Sequence, residues 1–523
     1  MSLLHSYFQS TPEGKRKSET IAVLAVLDHL SEKTPNIAAH IVRELRDQRR
    51  HLKMIASENY SSLTVQLAMG NWLTDKYAEG FPHHRFYAGC EHVDAIEELA
   101  CIHLKELFQA EHAYVQPHSG ADANLVAYWS ILTKRVQSKE IERLGKKSLD
   151  EFTTEEFETL RKSMMDQNLL GLSLNSGGHL THGYRHNVSS KFFRSFFYDV
   201  DPVTHLLDYE AIRKKAKEVK PLILLAGYSA YPRRINFRIM REIADEVGAT
   251  LMVDMAHFSG LVAGKVFQGD ENPISFGHII TSTTHKTLRG PRGGFVLTNS
   301  ELKEFVDKGC PLVLGGPLPH VIAAKAIAFQ EAKSPSFQKY AHQVVANARA
   351  LAEGLIKRGL KVLTGGTDNH MVIVDLTQFG LTGRHAENAL RQVGITLNRN
   401  AIPFDSQGPW YTSGIRIGTP ALTTLGMKET EMELIAHCVS ETLTHTRPSA
   451  TASGSLSKTQ CSVDSNMKNR VENEVQELIS QFPLYSEIPD VIVKEDTTPE
   501  EKNLHNHKAL QALMPKLDLL GAI

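Results

Sequence analysis

The chain has 523 residues, more than one ordinary compact core accommodates, so at least two folding units are expected. Apolar residues at 41 % and charged residues at 22 % exclude a wholly disordered or fibrous chain. The balance of 58 basic against 59 acidic residues excludes the basic excess of a dedicated nucleic-acid or membrane-surface protein.

In chain order, residues 1–50 read as a polar, helix-prone N-terminal arm. Lys15-Arg16-Lys17 precedes an apolar core of only seven residues, Ile21 to Leu27, and Asp28-His29-Leu30 offers no small-residue cleavage site. A short amphipathic helix is expected there, not a signal peptide. Residues 51–329 alternate strand-like and helical segments. The apolar runs 222–225, 250–253, 278–281 and 294–297 read as strands, with a helix over 237–247 between the first two, which is the signature of βαβ units and a mostly parallel sheet. Residues 134–167 form a charged insertion in that unit. Thr153 and Thr154 stand ahead of Glu155-Glu156 as a helix start, and Phe157, Leu160 and Met164 make one apolar face. Helices over 321–332 and 337–358 lead into a smaller C-terminal α/β unit spanning 330–486. Within it the Ser/Thr-rich stretch 447–465 reads as a flexible linker, followed by a helix with Val471, Val475, Leu478, Ile479 and Phe482 on one stripe. The polar tail 487–523 is expected to be loosely held. No internal repeat is found. No apolar run approaches the roughly 18 residues that cross a bilayer. Cys90, Cys101, Cys310, Cys438 and Cys461 are dispersed without CxxC spacing, which favours a reducing, cytoplasmic setting over a disulfide framework or a zinc site.

The chemistry concentrates in Asp254-Met255-Ala256-His257 and, 32 residues after the aspartate, Thr284-His285-Lys286-Thr287. One βαβ step brings two such residues to neighbouring strand ends, where α/β sheets gather their functional groups. Pyridoxal phosphate chemistry asks for this pair: an amine that condenses with the aldehyde, and a carboxylate that keeps the pyridine nitrogen protonated. A lone Asp is more often a helix cap and a lone Lys a surface cation; the two contexts together reverse that weighting. Gln116-Pro117-His118-Ser119-Gly120-Ala121 ahead of a helical stretch supplies the backbone N–H groups that a phosphate needs, and Gly315-Gly316-Pro317 is a second exposed turn. Arg416 between glycines suits bidentate capture of a carboxylate. Glu79, with Tyr77, Phe86 and Tyr87 around it, suits proton transfer.

These residues lie in motifs that resemble serine hydroxymethyltransferases: MIASEN (54–59), DKYAEG (75–80), YAGCE (87–91), VQPHSG (115–120), GGHLTHG (177–183), YSAY (228–231), VDMAH (253–257), THKTLRGPRGG (284–294), GGPLPHVIA (315–323), GGTDNH (365–370) and TSGIRIGTPA (412–421), in family order. The resemblance implies a fold-type I pyridoxal-phosphate α/β fold, with a seven-stranded, mostly parallel sheet in the large unit. It implies reversible transfer of the serine hydroxymethyl carbon to tetrahydrofolate through a pyridoxal phosphate aldimine, giving glycine and 5,10-methylenetetrahydrofolate. Lys286 would be the Schiff-base lysine, Asp254 the partner of the pyridine nitrogen, His179 the ring stacked on the cofactor and His257 a donor near its 3-oxygen. Ser119, Gly120, Ser229 and His285 would hold the phosphate, joined by Gly316 from a second subunit. Arg416 and Ser57 would bind the amino-acid carboxylate. Tyr77, Glu79 and Tyr87 would reach in from the neighbouring subunit, making a homodimer the minimum active unit, with Glu79 transferring the proton. Leu174, Gly178, Leu180 and Asn400 would line the folate site.

The chain departs from the family pattern at Phe86, Ala121, Asp122, Ser176 and Leu314; Asp122 would bring a negative charge toward the phosphate. The charged insertion is expected as a loop near the folate entrance. Two other readings stand beside the first: a folate-independent aldolase or racemase for β-hydroxy amino acids on the same fold, and a catalytically silent scaffold, which the joint presence of Lys286, Asp254, His179, Arg416 and Glu79 speaks against.

Overall fold

The computed structural model describes residues 2–408, 410–451 and 454–491; the rest of the expected tail and positions 452–453 of the expected linker lie outside the described residues. A seven-stranded sheet organises the chain. Its strands are β1 (His112–Tyr114), β2 (Asn168–Leu172), β3 (Arg194–Tyr198), β4 (Ile223–Gly227), β5 (Thr250–Asp254), β6 (Ile279–Thr283) and β7 (Gly294–Thr298), in the order β1-β7-β6-β5-β4-β2-β3. Strands β3, β2, β4, β5 and β6 pair in parallel, and β7 runs antiparallel to both β6 and β1, so six strands point the same way.

A second sheet, β8 (Lys361–Val362), β9 (Met371–Asp375), β10 (Asn398–Asn400) and β11 (Gly414–Gly418), is antiparallel throughout, in the order β8-β9-β11-β10. The helices around the two sheets are α1 (Ser18–Lys33), α2 (Pro35–Arg50), α3 (Glu91–Phe108), α4 (Gly120–Leu132), α5 (Thr154–Met165), α6 (Phe237–Val247), α7 (Pro319–Ala332), α8 (Pro335–Lys357), α9 (Gly383–Gln392), α10 (Glu429–Thr444) and α11 (Ser465–Ser480). Among the described residues no helix is long and apolar enough to cross a membrane.

The large sheet is buried on both faces, which is why its strands read as continuous apolar runs. Leu224, Ala226, Leu251 and Val253 pack on one face with Phe258, Phe295 and Phe329. Ile223, Leu225, Met252 and Ile279 pack on the other with Val126, Ala127 and Ile131 of α4. Helix α6 spans its expected residues: Asn236 caps it by accepting from the Ile239 N–H, and Gly248 ends it at φ 69°. Phe237, Met240, Ile243 and Ala244 form its buried stripe. A separate core covers the second sheet, where Leu351 and Leu355 of α8, Ile435 and Val439 of α10, and Val471 and Val475 of α11 meet Val372, Val374, Ile415 and Ile417.

Expectations for three segments are corrected. The stretch 447–465 is a β-hairpin and not a flexible linker. Strands β12 (Thr446–Ala450) and β13 (Leu456–Val463) pair antiparallel, and β13 lies on α9 through Thr382 Oγ1 to Lys458 O (2.9 Å) and Asn388 Nδ2 to Thr459 O (3.1 Å). Residues of β13 alternate between exposed and half-buried positions, with Ser457 and Thr459 among the half-buried ones, so the period of two was present but carried largely by polar side chains.

The charged insertion is helical, and it sits at the amino ends of the strands, opposite their carboxyl ends. Helix α4 runs back along the sheet by about 20 Å, at about 1.5 Å per residue, and delivers the chain there. Arg135 then binds Gly248 O and Thr250 Oγ1 at the start of β5, and Asp166 pairs with Arg194 at the start of β3. The expected capping box at Thr153 and Glu156 is present. Of its apolar face Leu160 is buried, but Phe157 is exposed.

Residues 487–491 are held and not loose. Thr20 Oγ1 donates to Glu487 O, Arg49 donates to the carbonyls of Leu484, Tyr485 and Ile488 at 2.7–3.0 Å, and Arg46 donates to Val491 O.

Candidate active site

The carboxyl edge of the large sheet carries a buried polar cluster. Asp254 ends β5. Its Oδ2 accepts from Asn124 Nδ2 (2.9 Å) and His182 Nε2 (3.2 Å), and its Oδ1 accepts from the Ala256 N–H (3.0 Å). Burial alone would raise its pKa. The hydrogen bond from His182, the nearness of the His182 and His179 rings and the Asn124 amide outweigh burial and hold the carboxyl well below the usual carboxylate range.

His182 owes its tautomer to its neighbours: Nδ1 accepts the His179 N–H (3.3 Å), so Nε2 carries the proton given to Asp254. His179 Nδ1 accepts the Thr181 N–H (3.2 Å) and lies 2.7 Å from Thr181 Oγ1. Burial, aided by the neighbouring His182, pulls His179 down to about 4, which leaves a neutral ring at neutral pH. His179, His182 and Asp254 offer three potential metal-ligand atoms within 4.8 Å of one another. With both His182 nitrogens already engaged, the arrangement is a hydrogen-bonded relay and not a ligand set.

Lys286 follows β6, with Nζ 3.4 Å from Thr283 Oγ1. Burial lowers its amine; the Asp254 charge opposes this and those of Arg416 and Arg292 add to it, leaving a pKa of about 8. His257 is buried with Nδ1 3.2 Å from His370 Nε2, the two rings stacked at 5.4 Å. Burial and the Lys286 and Arg416 charges push His257 well below its ordinary value, and burial takes His370 to about 3. Arg416, central in β11, donates from Nη1 to Ser229 O (2.6 Å) and from Nε to Asn398 Oδ1 (3.2 Å), and burial lowers it to about 10. Ser229 in turn donates its N–H to Gly177 O (2.7 Å), joining the β4 end to the 177–183 loop.

The turn into α4 lies against the Lys286 loop. Ser119 Oγ caps the helix by accepting the Asp122 N–H (3.2 Å). A Cβ on Gly120 would stand 2.6 Å from Thr283 Cγ2, and one on Gly294 would stand 2.2 Å from Ser119 O. Glycine at 294 lets two backbones meet, and glycine at 120 leaves room for the Thr283 methyl. The Asp122 carboxylate lies 3.9 Å from His118 Nδ1, and His118 Nε2 is 3.2 Å from Gly316 O.

The remaining candidates flank this centre. Ser57 follows Ala56, which packs so closely on Gly418 that a Cβ there would stand 2.3 Å from Ala56 Cα. Leu174, Gly178 and Leu180 lie on the loop after β2, and Asn400 pairs with Gly414 at the end of β10. Tyr77, Glu79 and Tyr87 form a group of their own. The tyrosine rings are 4.8 Å apart, Tyr87 OH donates to Glu79 Oε2 (3.4 Å), and Tyr77 lies beside Gly316. Tyr77, Phe86 and Tyr87 are 56 %, 69 % and 45 % exposed. Ser176 donates to Asp199 Oδ1 (2.7 Å), and Leu314 is buried in the core.

Residues the sequence reading did not single out are Asn124, His182, Thr283 and His370. His182 and His370 stood inside the quoted motifs GGHLTHG and GGTDNH; Asn124 lies one helical turn beyond Gly120. Two buried nitrogens of this region, His285 Nδ1 and His370 Nδ1, have no hydrogen-bond partner in the chain. Buried polar atoms are rarely left orphaned, so these mark a place where another polar group fits.

The family model described as serine hydroxymethyltransferase matches residues 30–142 and 157–439. The gap between the two segments falls within the charged insertion. A serine hydroxymethyltransferase of Treponema pallidum is 57 % identical over 493 residues, covering 94 % of this chain and 86 % of its own. One of Salinispora tropica is 54 % identical over 471 residues (90 % and 98 %), and one of Chlamydia muridarum is 54 % identical over 489 residues (93 % and 98 %).

Proposed function

The chain belongs to the serine hydroxymethyltransferase family, and from that premise we infer that it transfers the hydroxymethyl carbon of serine reversibly to tetrahydrofolate, giving glycine and 5,10-methylenetetrahydrofolate. It is a pyridoxal phosphate-dependent transferase with tetrahydrofolate as co-substrate. The observation that carries the assignment of residues is the Asp254–Lys286 pair at adjoining strand ends, one group held ionised and the other held as a weakened base.

The residues present fit the cofactor. The Lys286 amine would take its aldehyde carbon, Asp254 its pyridine nitrogen, His179 its ring face and His257 its 3-oxygen. Ser119, Gly120, Ser229 and His285 would hold its phosphate, and the orphaned His285 Nδ1 and the close seating of Gly120 on Thr283, three residues before Lys286, support that placement. When bound, the cofactor supplies a conjugated cationic ring that accepts the electron pair released at the amino-acid α-carbon.

The protein's own part is to position groups and hold protons. His182 and Asn124 keep Asp254 an anion, which a buried carboxylate would not otherwise remain. With a pKa near 8, a useful fraction of Lys286 is neutral at pH 7–8, whereas an ordinary lysine would be almost wholly protonated. The Arg416 fork, anchored on Ser229 O and Asn398, presents a fixed cation to the substrate carboxylate, which Ser57 would also bind. Glu79 would move a proton at the serine hydroxyl, held by Tyr87. Leu174, Gly178, Leu180 and Asn400 would receive the folate.

Tyr77, Glu79 and Tyr87, with Gly316, would serve a neighbouring subunit, so a homodimer is part of this reading. Three exposed aromatic rings in one short segment support it. A cytoplasmic location is also proposed, supported by five cysteines that are all free. The large unit over 51–329, the small one over 330–486 and the arm over 1–50 are the proposed division, supported by the separate cores of the two sheets.

The test is serine cleavage with and without tetrahydrofolate, alongside the absorbance spectrum of protein incubated with pyridoxal phosphate. The expected result is a visible-edge band and folate-dependent turnover. A protein left colourless would overturn the reading, and turnover indifferent to folate would replace it with the aldolase or racemase reading, which the comparisons do not favour.

A further inference from the structure

Lys325 lies in the middle of α7, within the alanine-rich stretch 323–328, and is 1 % exposed. Its Nζ donates to three backbone carbonyls: Val115 (2.6 Å), Pro117 (2.9 Å) and Gly294 (2.9 Å). Among the described residues no carboxylate pairs with it. Glu97, the acid that acts on it most strongly, is engaged by Arg85 (2.7 Å) and Gln116 (2.8 Å). An ammonium this deep is costly unless all of its protons are used, and here three carbonyls use three protons.

Those carbonyls come from the two segments that build the candidate phosphate turn. Val115 and Pro117 lead into Ser119-Gly120, and Gly294 opens β7, donating its own N–H back to Pro117 O (2.9 Å). Gly293 completes the fit, since a Cβ there would stand 2.5 Å from Lys325 Cε. Three carbonyl oxygens converging on one point repel one another; a cation at that point lets them converge. In a trans peptide the N–H points opposite to the C=O, so a carbonyl drawn toward Lys325 turns the following N–H away from it. The ammonium therefore fixes the peptide planes after Val115 and Pro117, turning the His118 N–H away from itself at the residue ahead of Ser119-Gly120, and it adds a buried positive charge behind the turn.

We propose that Lys325 is a positioning residue for the cofactor phosphate, a tethered internal cation that holds the 115–120 turn against the start of β7. This rests on Ser119 and Gly120 being phosphate ligands, as proposed above. It also touches the Lys286 loop, since Gly293 O accepts the Thr284 N–H (3.1 Å) at the base of that loop. Burial draws the amine down to about 7 against the charges of Glu97, Cys101 and Asp122, in keeping with an ammonium that benefits from a nearby anion.

The experiment compares apoenzyme binding of pyridoxal phosphate with that of pyridoxal, which lacks the phosphate but keeps the aldehyde that Lys286 takes. In Lys325→Met the affinity for pyridoxal phosphate is expected to fall by about tenfold to hundredfold, the loss of a charge-assisted contact, while that for pyridoxal stays within about twofold. Gly293→Ala, which displaces Lys325 Cε without removing the charge, is expected to show the same selective loss and serves if Lys325→Met fails to fold. Equal losses for both ligands, or none for either, would overturn the proposal by reducing Lys325 to a packing residue. A wild-type protein that binds neither ligand would instead overturn the cofactor reading itself.

Discussion

The cluster around Lys286 and the group around Glu79 are built in opposite ways. At the carboxyl edge of the sheet, Asp254, His257 and His182 are buried, and the Asp254 carboxylate is fixed by partners from a helix and two loops. At 77–87, three exposed aromatic rings surround the half-buried Glu79, whose carboxylate is met by one long hydrogen bond from Tyr87. On the proposed reading, a single chain completes its cofactor half and leaves the proton-transfer half presented outward. Burial and shifted protonation locate the first half, whereas the exposed rings of Tyr77, Phe86 and Tyr87 support setting the second against another copy of the chain.

The largest expected effect tests both halves together. Lys286→Ala and Glu79→Gln should each be nearly inactive as homodimers, with Glu79→Gln losing about 10²–10⁴-fold in folate-dependent turnover while still binding serine. Mixed and allowed to exchange subunits, the two should recover about a quarter of wild-type activity, because random pairing gives half hybrids with one intact site each. No recovery would break the comparison and place Glu79 with its own chain.

A smaller effect belongs to the buried half: Arg416→Lys keeps the charge but loses the fork, so KM for serine should rise about tenfold to hundredfold with less change in kcat. The pH dependence sharpens it further. Lys286 is lowered, so it is protonated below about 8 and neutral above. The rate at which apoenzyme captures pyridoxal phosphate should therefore climb about tenfold per pH unit below 8 and level off above it. A climb that continues to pH 10 would mean an unshifted amine. The smallest effect falls away from both halves: Thr153→Ala removes the cap of α5 and should cost about 1 kcal/mol in urea unfolding, with kcat unchanged, because that helix lies at the amino ends of the strands.

Much of the fold was legible because β4, β5, β6 and β7 are buried on both faces and α6 carries a clean stripe between two caps. The Asp254–Lys286 pair was legible through spacing and context. Lys325 was not: a lone lysine among alanines reads as a surface cation, and what buries it is a set of carbonyls some 30 and 210 residues away in sequence. The hairpin at 446–463 escaped because its alternation is polar against polar, which composition scores as a linker. Asn124 and His182 escaped because their meaning lies in a carboxylate that another strand supplies.

The grip of Arg46, Arg49 and Thr20 on residues 484–491 has a consequence for synthesis. Contacts separated by about 440 positions cannot form until nearly the whole chain has left the ribosome. At translation rates of about 5–20 residues per second, helices α1 and α2 wait on the order of 20–90 s for the segment that secures them. During that interval the anchors on Thr20, Arg46 and Arg49 stay unfilled, and a nascent chain stalled before residue 484 would hold α2 through Asp47 to Arg391 and Arg50 O to Gln476 but lack those anchors.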